Sequence, residues 1–179
     1  MLDRTRLKIG LWYSRFYFRK NRDEAIRFTE AVSRARRALV LFPESALDWE
    51  STQTVLKYLS RRFASGSMLL LVRDDLKANV GGAQAVKTVT YTLQDVNTWF
   101  VPRGQLLRKM KTSTFDIAVD LNFGLALPSA FLCRQSNAPL RVSFAKEQGD
   151  QFYNFQIQTR ATSSNPTAYR SLLRCLDMF

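Results

Sequence analysis

From residue 38 onward, short unbroken apolar runs alternate with stretches whose apolar residues recur at helical spacing. Ala38 to Phe42 (ALVLF) is the first run, apolar at both parities, which suits a strand covered on both faces. Through Pro43-Glu44-Ser45 it leads into Thr52, Val55, Leu56, Leu59 and Phe63 at i, i+3, i+4, i+7 and i+11, a helical stripe that closes in Arg61-Arg62 and Ser65-Gly66. Met68 to Val72 is a second buried run, and Val86 to Tyr91 a third, more exposed strand. A helical stretch interrupted at Pro102 then resumes through Gln105 to Lys111. Phe115 to Leu121 predicts a fourth strand. Pro128, a preferred first-turn residue, opens a helix that runs to about Gln135 before Asn137-Ala138-Pro139 breaks it. Leu140 to Ala145 and Phe155 to Thr159 complete six strands, and Tyr169, Leu172, Leu173 and Leu176 mark a closing helix. Alternating strand and helix implies parallel pairing with right-handed crossovers. The expected fold is therefore an α/β, doubly wound, Rossmann-like parallel sheet with Ala38 to Phe42 at its centre and helices on both faces.

The first 37 residues read differently. They hold eleven of the 27 Lys and Arg against four acids, within a net charge of +12. Inside them, Ile9, Trp12, Tyr13 and Phe16 fall at i, i+3, i+4 and i+7 among Arg15, Arg19 and Lys20, an aromatic stripe flanked by cations. The expected organisation is a basic aromatic helical extension over 1–37 and one α/β domain over 38–179. Gly10 weakens a continuous helix here. Three readings of the stripe stay open. It packs on the domain or on a second copy; it lies at an anionic lipid surface with Arg and Lys snorkelling to phosphates; or Trp12, Tyr13 and Phe16 stack on single-stranded nucleic acid beside Arg15, Arg19 and Lys20. If the extension is separate, removing residues 1–20 leaves the domain folded.

A chain of 179 residues, 46% hydrophobic, is long enough for one sizeable core and too short for two ordinary domains. No run of about 18 apolar residues occurs, and charges run through the first 20 residues, so neither a membrane span nor a secretory signal fits. The location these features imply is cytoplasmic, with peripheral attachment at the inner face of the membrane as an extension of the lipid reading. Cys133 and Cys175 share no close spacing and read as packed thiols, with no metal expected. Histidine is absent, which excludes Ser-His and Cys-His dyads, His-carboxylate iron sites and the HExxH zinc site. No GxGxxG or GxxxxGK[ST] loop is present, so no cofactor is expected.

Residues 115–145, FDIAVDLNFGLALPSAFLCRQSNAPLRVSFA, resemble a segment of family 9 glycosyltransferases (lipopolysaccharide heptosyltransferase-like). In that family a "YD-hydrophobic-hydrophobic-hydrophobic-DL" strand leads through a helix to a "GAP-x-RIGF" strand. Upstream, ALVLFPESALDWESTQTVLKYLSRRF is similar to the family's first strand, "GD" loop and "P-x-hydrophobic-x-x-L" helix, and the similarity spans residues 38–179. The resemblance implies the acceptor-side, N-terminal domain of a glycosyltransferase-B architecture. It places the family's catalytic aspartate, a general base on the acceptor hydroxyl, at Asp48. Leu47 stands where the family has glycine, and the strand-end glycine is displaced to Gly124. Asp48 equally suits a helix N-cap. The family's donor-binding half has no counterpart here, so the expected protein is non-catalytic or depends on a partner subunit that supplies it.

Asp120 and Asn122 lie at the carboxyl end of the fourth strand, where open α/β sheets bind ligands, and also suit loop scaffolding. Arg134, Arg141 and Lys146 are candidates for an anionic acceptor, because guanidinium forks match phosphates, or are solvated cations. Two function classes follow. One is a glycosyltransferase-like protein with an acceptor-type cleft at the membrane surface, in envelope polysaccharide metabolism, whose partners are an anionic glycan, a lipid surface or a protein. The other is a basic module that uses the fold to bind nucleic acid or a protein partner.

Overall fold

The computed structural model describes residues 2–21, 23, 25–44, 49–63, 66–80, 87–111, 113–159 and 165–177. Its centre is a six-stranded, all-parallel sheet in the order β3-β2-β1-β4-β5-β6. The strands are β1 Ala38–Leu41, β2 Met68–Arg73, β3 Lys87–Tyr91, β4 Ile117–Asp120, β5 Leu140–Phe144 and β6 Phe155–Ile157. The order reverses between β1 and β4, the arrangement of doubly wound nucleotide folds, and β1 pairs with both neighbours in register Ala38↔Met68 and Ala38↔Ile117. The expected central position of the first strand is therefore observed.

Strand side chains alternate between faces, so the apolar runs supply two cores at once. Val40, Leu70, Val119 and Val142 face α3 Trp49–Arg62 and α6 Asn165–Asp177, where Val55, Leu56, Leu59, Tyr169 and Leu172 bury. Leu39, Leu41, Leu69, Leu71 and Ala118 face the other way, against α4 Gly104–Lys111 and α5 Leu127–Gln135. Helix α5 has residues 127–134 all buried, because α1 Leu2–Tyr17 lies over it. Helix α2, Phe28–Arg34, covers the sheet's other face near β5, with Phe28 stacked on Phe155 at 3.9 Å between ring centroids. The helical stretch expected before Pro102 is a single 3-10 turn, Leu93–Asp95, closed by a capping box in which Thr92 and Asp95 satisfy each other's backbone N–H groups. Pro102 instead forms an isolated bridge with Val96.

Helix α1 runs unbroken through Gly10, and the reason is proximity. A Cβ built there would lie 2.1 Å from the Trp99 carbonyl oxygen and 2.6 Å from Leu127 Cδ2, so the helix seats only because that side chain is missing. The face it turns inward is Leu7, Leu11 and Ser14, continued just past its end by Phe18, which lies against Phe131 at 4.7 Å between centroids. The stripe read from the sequence lies elsewhere: Trp12 and Phe16 are 70% and 53% exposed, and Tyr13 is half-buried. Leu11, Phe18 and Val32 belong to the cores, so the boundary expected at residue 37 does not coincide with a break in packing. That reverses the expectation for residues 1–20. Phe18→Ala should cost about 3–5 kcal/mol in chemical denaturation, and deletion of 1–20 should abolish the cooperative transition, whereas Trp12→Ala should shift it by under about 0.5 kcal/mol.

Candidate functional site

Open parallel sheets gather loops at the carboxyl ends of their strands, and here those of β1, β4 and β5 are knotted by one buried carboxylate. Asp120, the last residue of β4, is wholly buried. Its Oδ1 accepts from the Asn122 side-chain amide at 2.7 Å and backbone N–H at 3.0 Å, and its Oδ2 accepts from Tyr153 Oη and from Lys146 Nζ at 3.3 Å. Burial pushes the Tyr153 phenol well above its ordinary pKa, and the neighbouring Asp120 adds to that, so Tyr153 remains a donor. Lys146 also donates to the carbonyls of Asn122 at 2.6 Å and Gly124 at 3.3 Å. Asn122 in turn crosses the β1–β4 crevice, its Oδ1 accepting from the Glu44 N–H at 2.8 Å. Three of the residues singled out from sequence, Asp120, Asn122 and Lys146, thus meet, but their polar atoms are spent on one another and on the loops. They build the platform of the site.

The open chemistry lies one strand over. Glu44, just past β1, accepts from Tyr91 Oη at 2.7 Å and approaches Arg73 Nη1 at 4.0 Å. Burial raises the Glu44 carboxyl above its ordinary pKa, and Asp120 and Asp75 add to this, outweighing the pull of Tyr91 and Arg73. Burial and the Glu44 charge together push the Tyr91 phenol far up. Arg73 is held by a two-point bond to Asp75 at 2.6 and 2.8 Å, which fixes its fork beside Glu44. Above this trio opens a cavity of about 430 Å³, walled by Arg4 and Leu7 of α1 and by Leu93, Phe100, Leu125 and Pro128. A mainly apolar cleft with a few convergent polar groups at its floor is the usual form of a small-ligand site. Glu44, Tyr91 and Arg73 were not singled out from sequence; the one available signal was that Glu44 follows the first buried strand by two residues.

The remaining candidates separate. Asp48 lies outside the described residues. Arg134 and Arg141 sit at the opposite edge of the sheet, where both guanidinium groups bind Asp23 Oδ1, Arg141 at 2.6 Å. Arg134 also donates to the Asn21 carbonyl, and Arg141 to the carbonyls of Phe152 and Ala138, each at 2.8 Å. With side chains only 9% and 4% exposed, they clasp the segment after α1 and are not solvated cations. Desolvation tends to raise the Asp23 carboxyl, but the Arg134 and Arg141 hydrogen bonds and charges overcome it and hold the pKa below the ordinary value. Cys133 is buried and Cys175 half-buried, both free, and burial raises each thiol.

The class these features define is a Rossmann-like α/β sheet with a cleft at its carboxyl edge. No family model and no curated protein matches the chain. Among solved structures it is similar to a glycosyl transferase family 9 protein from Veillonella parvula DSM 2008, at a TM-score of 0.61 and 14% identity. The similarity covers 80% of this chain and 42% of that one, so the chain spans less than half of its neighbour's length. The fold is glycosyltransferase-like, as the sequence resemblance implied. No helix among the described residues is long and apolar enough to cross a membrane.

Two pH effects of opposite sign follow. A carboxyl held below its unfolded value near 3.8 stabilises above that pH and loses the contribution as pH falls through its folded value. Asp23→Asn should therefore cost about 1–2 kcal/mol at neutral pH, the part-exposed carboxylate being discounted for solvent screening, and should flatten the acid limb of a Tm-against-pH curve. Glu44, raised above 4.5, does the reverse: stability falls as pH rises through its folded pKa. Glu44→Gln should leave Tm at neutral pH equal to or above that of the unsubstituted protein and remove the decline above pH 4.5.

Proposed function

We propose that this protein is a glycosyltransferase-like acceptor-binding domain whose cleft takes a hydroxyl-rich saccharide, and that any transfer depends on a donor-binding unit outside residues 1–179. The single observation that carries the reading is Glu44. It is a half-buried carboxyl with a raised pKa, tied to Tyr91 and facing a 430 Å³ cavity at the carboxyl edge of a glycosyltransferase-like sheet. A carboxylate whose pKa is raised by burial is a stronger base, suited to accept a proton from a sugar hydroxyl. Arg73, held beside it, suits an anionic substituent on the same saccharide. Leu93 and Phe100 offer apolar surface to a sugar ring's C–H face.

Saturation-transfer NMR on the full chain with neutral and anionic oligosaccharides tests this reading. Transfer to sugar protons is expected, with affinity falling about tenfold in Glu44→Ala and in Arg73→Ala when the sugar is anionic, the loss of one charge-assisted hydrogen bond each. Absence of saccharide binding, or binding indifferent to Glu44→Ala, overturns it. With nucleotide-sugar donors the chain alone is expected to turn over nothing. Donor-dependent transfer by residues 1–179 that vanishes in Asp48→Asn would overturn that dependence and move the base from Glu44 to Asp48.

A further inference from the structure

Helix α1 is apolar on two opposite faces. Leu7, Leu11 and Phe18 point into the core. At about 100° per residue, Leu2, Ile9, Trp12 and Phe16 fall in one strip on the far side, and they are 73%, 40%, 70% and 53% exposed. Arg4, Lys8 and Arg15 follow one flank of the strip and Arg6 the other, with Arg19 and Lys20 just past the helix end and Asp3 the one acid within it. Trp12 stacks on Phe16 at 6.3 Å between centroids, and the Arg19 guanidinium covers the Phe16 ring at 4.2 Å. The core already satisfies one side of this helix, so no packing among the described residues covers the second apolar strip.

We propose that the outer strip of α1 docks the protein flat on an anionic lipid surface. Trp12 and Phe16 enter the headgroup boundary with Ile9 and Leu2, while the flanking Arg and Lys reach lipid phosphates. Charge complementarity selects this occupant. A second copy of the chain would bring two rows of cations against each other, which favours separation. Single-stranded nucleic acid would stack its bases on the Trp12 and Phe16 rings alone, with Arg19 already over one face of Phe16. The aliphatic Leu2 and Ile9 likewise match acyl chains and not bases.

Flotation of the full chain with phosphatidylglycerol–phosphatidylcholine vesicles, and with phosphatidylcholine alone, tests the proposal. Partitioning onto the anionic vesicles is expected, weakened by added salt. Neutralising Lys8 and Arg15 together (Lys8→Gln, Arg15→Gln) should lower the partition coefficient by about fivefold per cation, and Trp12→Ser with Phe16→Ser should lower it by about tenfold or more. The substituted side chains are exposed, and an unchanged thermal transition is the check that each variant is folded. The proposal is overturned by equal binding to neutral vesicles, by binding that either double variant retains in full, by single-stranded RNA displacing the vesicles, or by a dimer that the Trp12–Phe16 variant dissolves. It does not rest on the saccharide reading. Glu44→Gln should float like the unsubstituted protein, so either assay can fail without the other.

Discussion

A buried carboxylate at the end of a central parallel strand is expensive unless every lone pair is met, and Asp120 meets that demand with partners from three separate segments. Asn122 comes from its own loop, Lys146 from the end of β5 and Tyr153 from the turn before β6. The consequence reaches beyond one ion pair. By satisfying Asp120, Asn122 acquires the orientation that lets it hold the Glu44 backbone N–H, and Lys146 caps the carbonyls of the loop that leads into α5. The loops lining the cleft are thus positioned by a network whose polar groups are turned toward one another and toward the loop backbone. A ligand at this edge meets Glu44, Tyr91 and Arg73, because the polar groups nearer the β1–β4 switch point are already committed.

Most of the sheet was legible in the sequence. Parallel strands covered on both sides need apolar residues at consecutive positions, so ALVL, MLLLV and IAV announce themselves without tertiary information. The central place of β1 followed from the crossovers that the helix pattern required. The role of α1 was less accessible, because a helix with two apolar strips gives the same periodicity whichever strip turns inward. Ile9, Trp12, Tyr13 and Phe16 made the more conspicuous pattern, yet the inward strip contains Gly10, whose lack of a side chain lets Trp99 and Leu127 approach. A residue that reads as a helix weakener is here the point of closest packing.

The site was half legible for a related reason. A strand-end position can be assigned from periodicity, so Asp120 and Asn122 were found, but whether a polar group is spent on scaffold or left for a ligand depends on partners distant in sequence. Lys146 lies 26 residues from Asp120, Tyr91 lies 47 from Glu44, and Arg141 lies 118 from Asp23. Arginines read as candidates for an anionic acceptor turn out to share one carboxylate within the chain, Asp23, and to donate otherwise to backbone carbonyls. Glu44 passed unnoticed because one Glu after Pro43 carries no pattern; its raised pKa comes from burial, with Asp120 and Asp75 adding to it against the pull of Tyr91 and Arg73.

The two edges of the sheet are linked through α1. Its C-terminal end is followed by Asn21 and Asp23, clasped by Arg134 and Arg141 at the amino edge, while Arg4 and Leu7 of its first turns wall the cavity at the carboxyl edge. Sixteen helical residues span about 24 Å, so a stiff element carries the position set by the Asp23 clasp across the whole layer. Gly10 pins its middle against the Trp99 carbonyl, which leaves little freedom for the helix to slide. One helix thus borders both the Asp23 clasp and the cleft over Glu44. The outward surface of the helix and the cleft wall belong to the same element, seated at Gly10 against the Trp99 carbonyl.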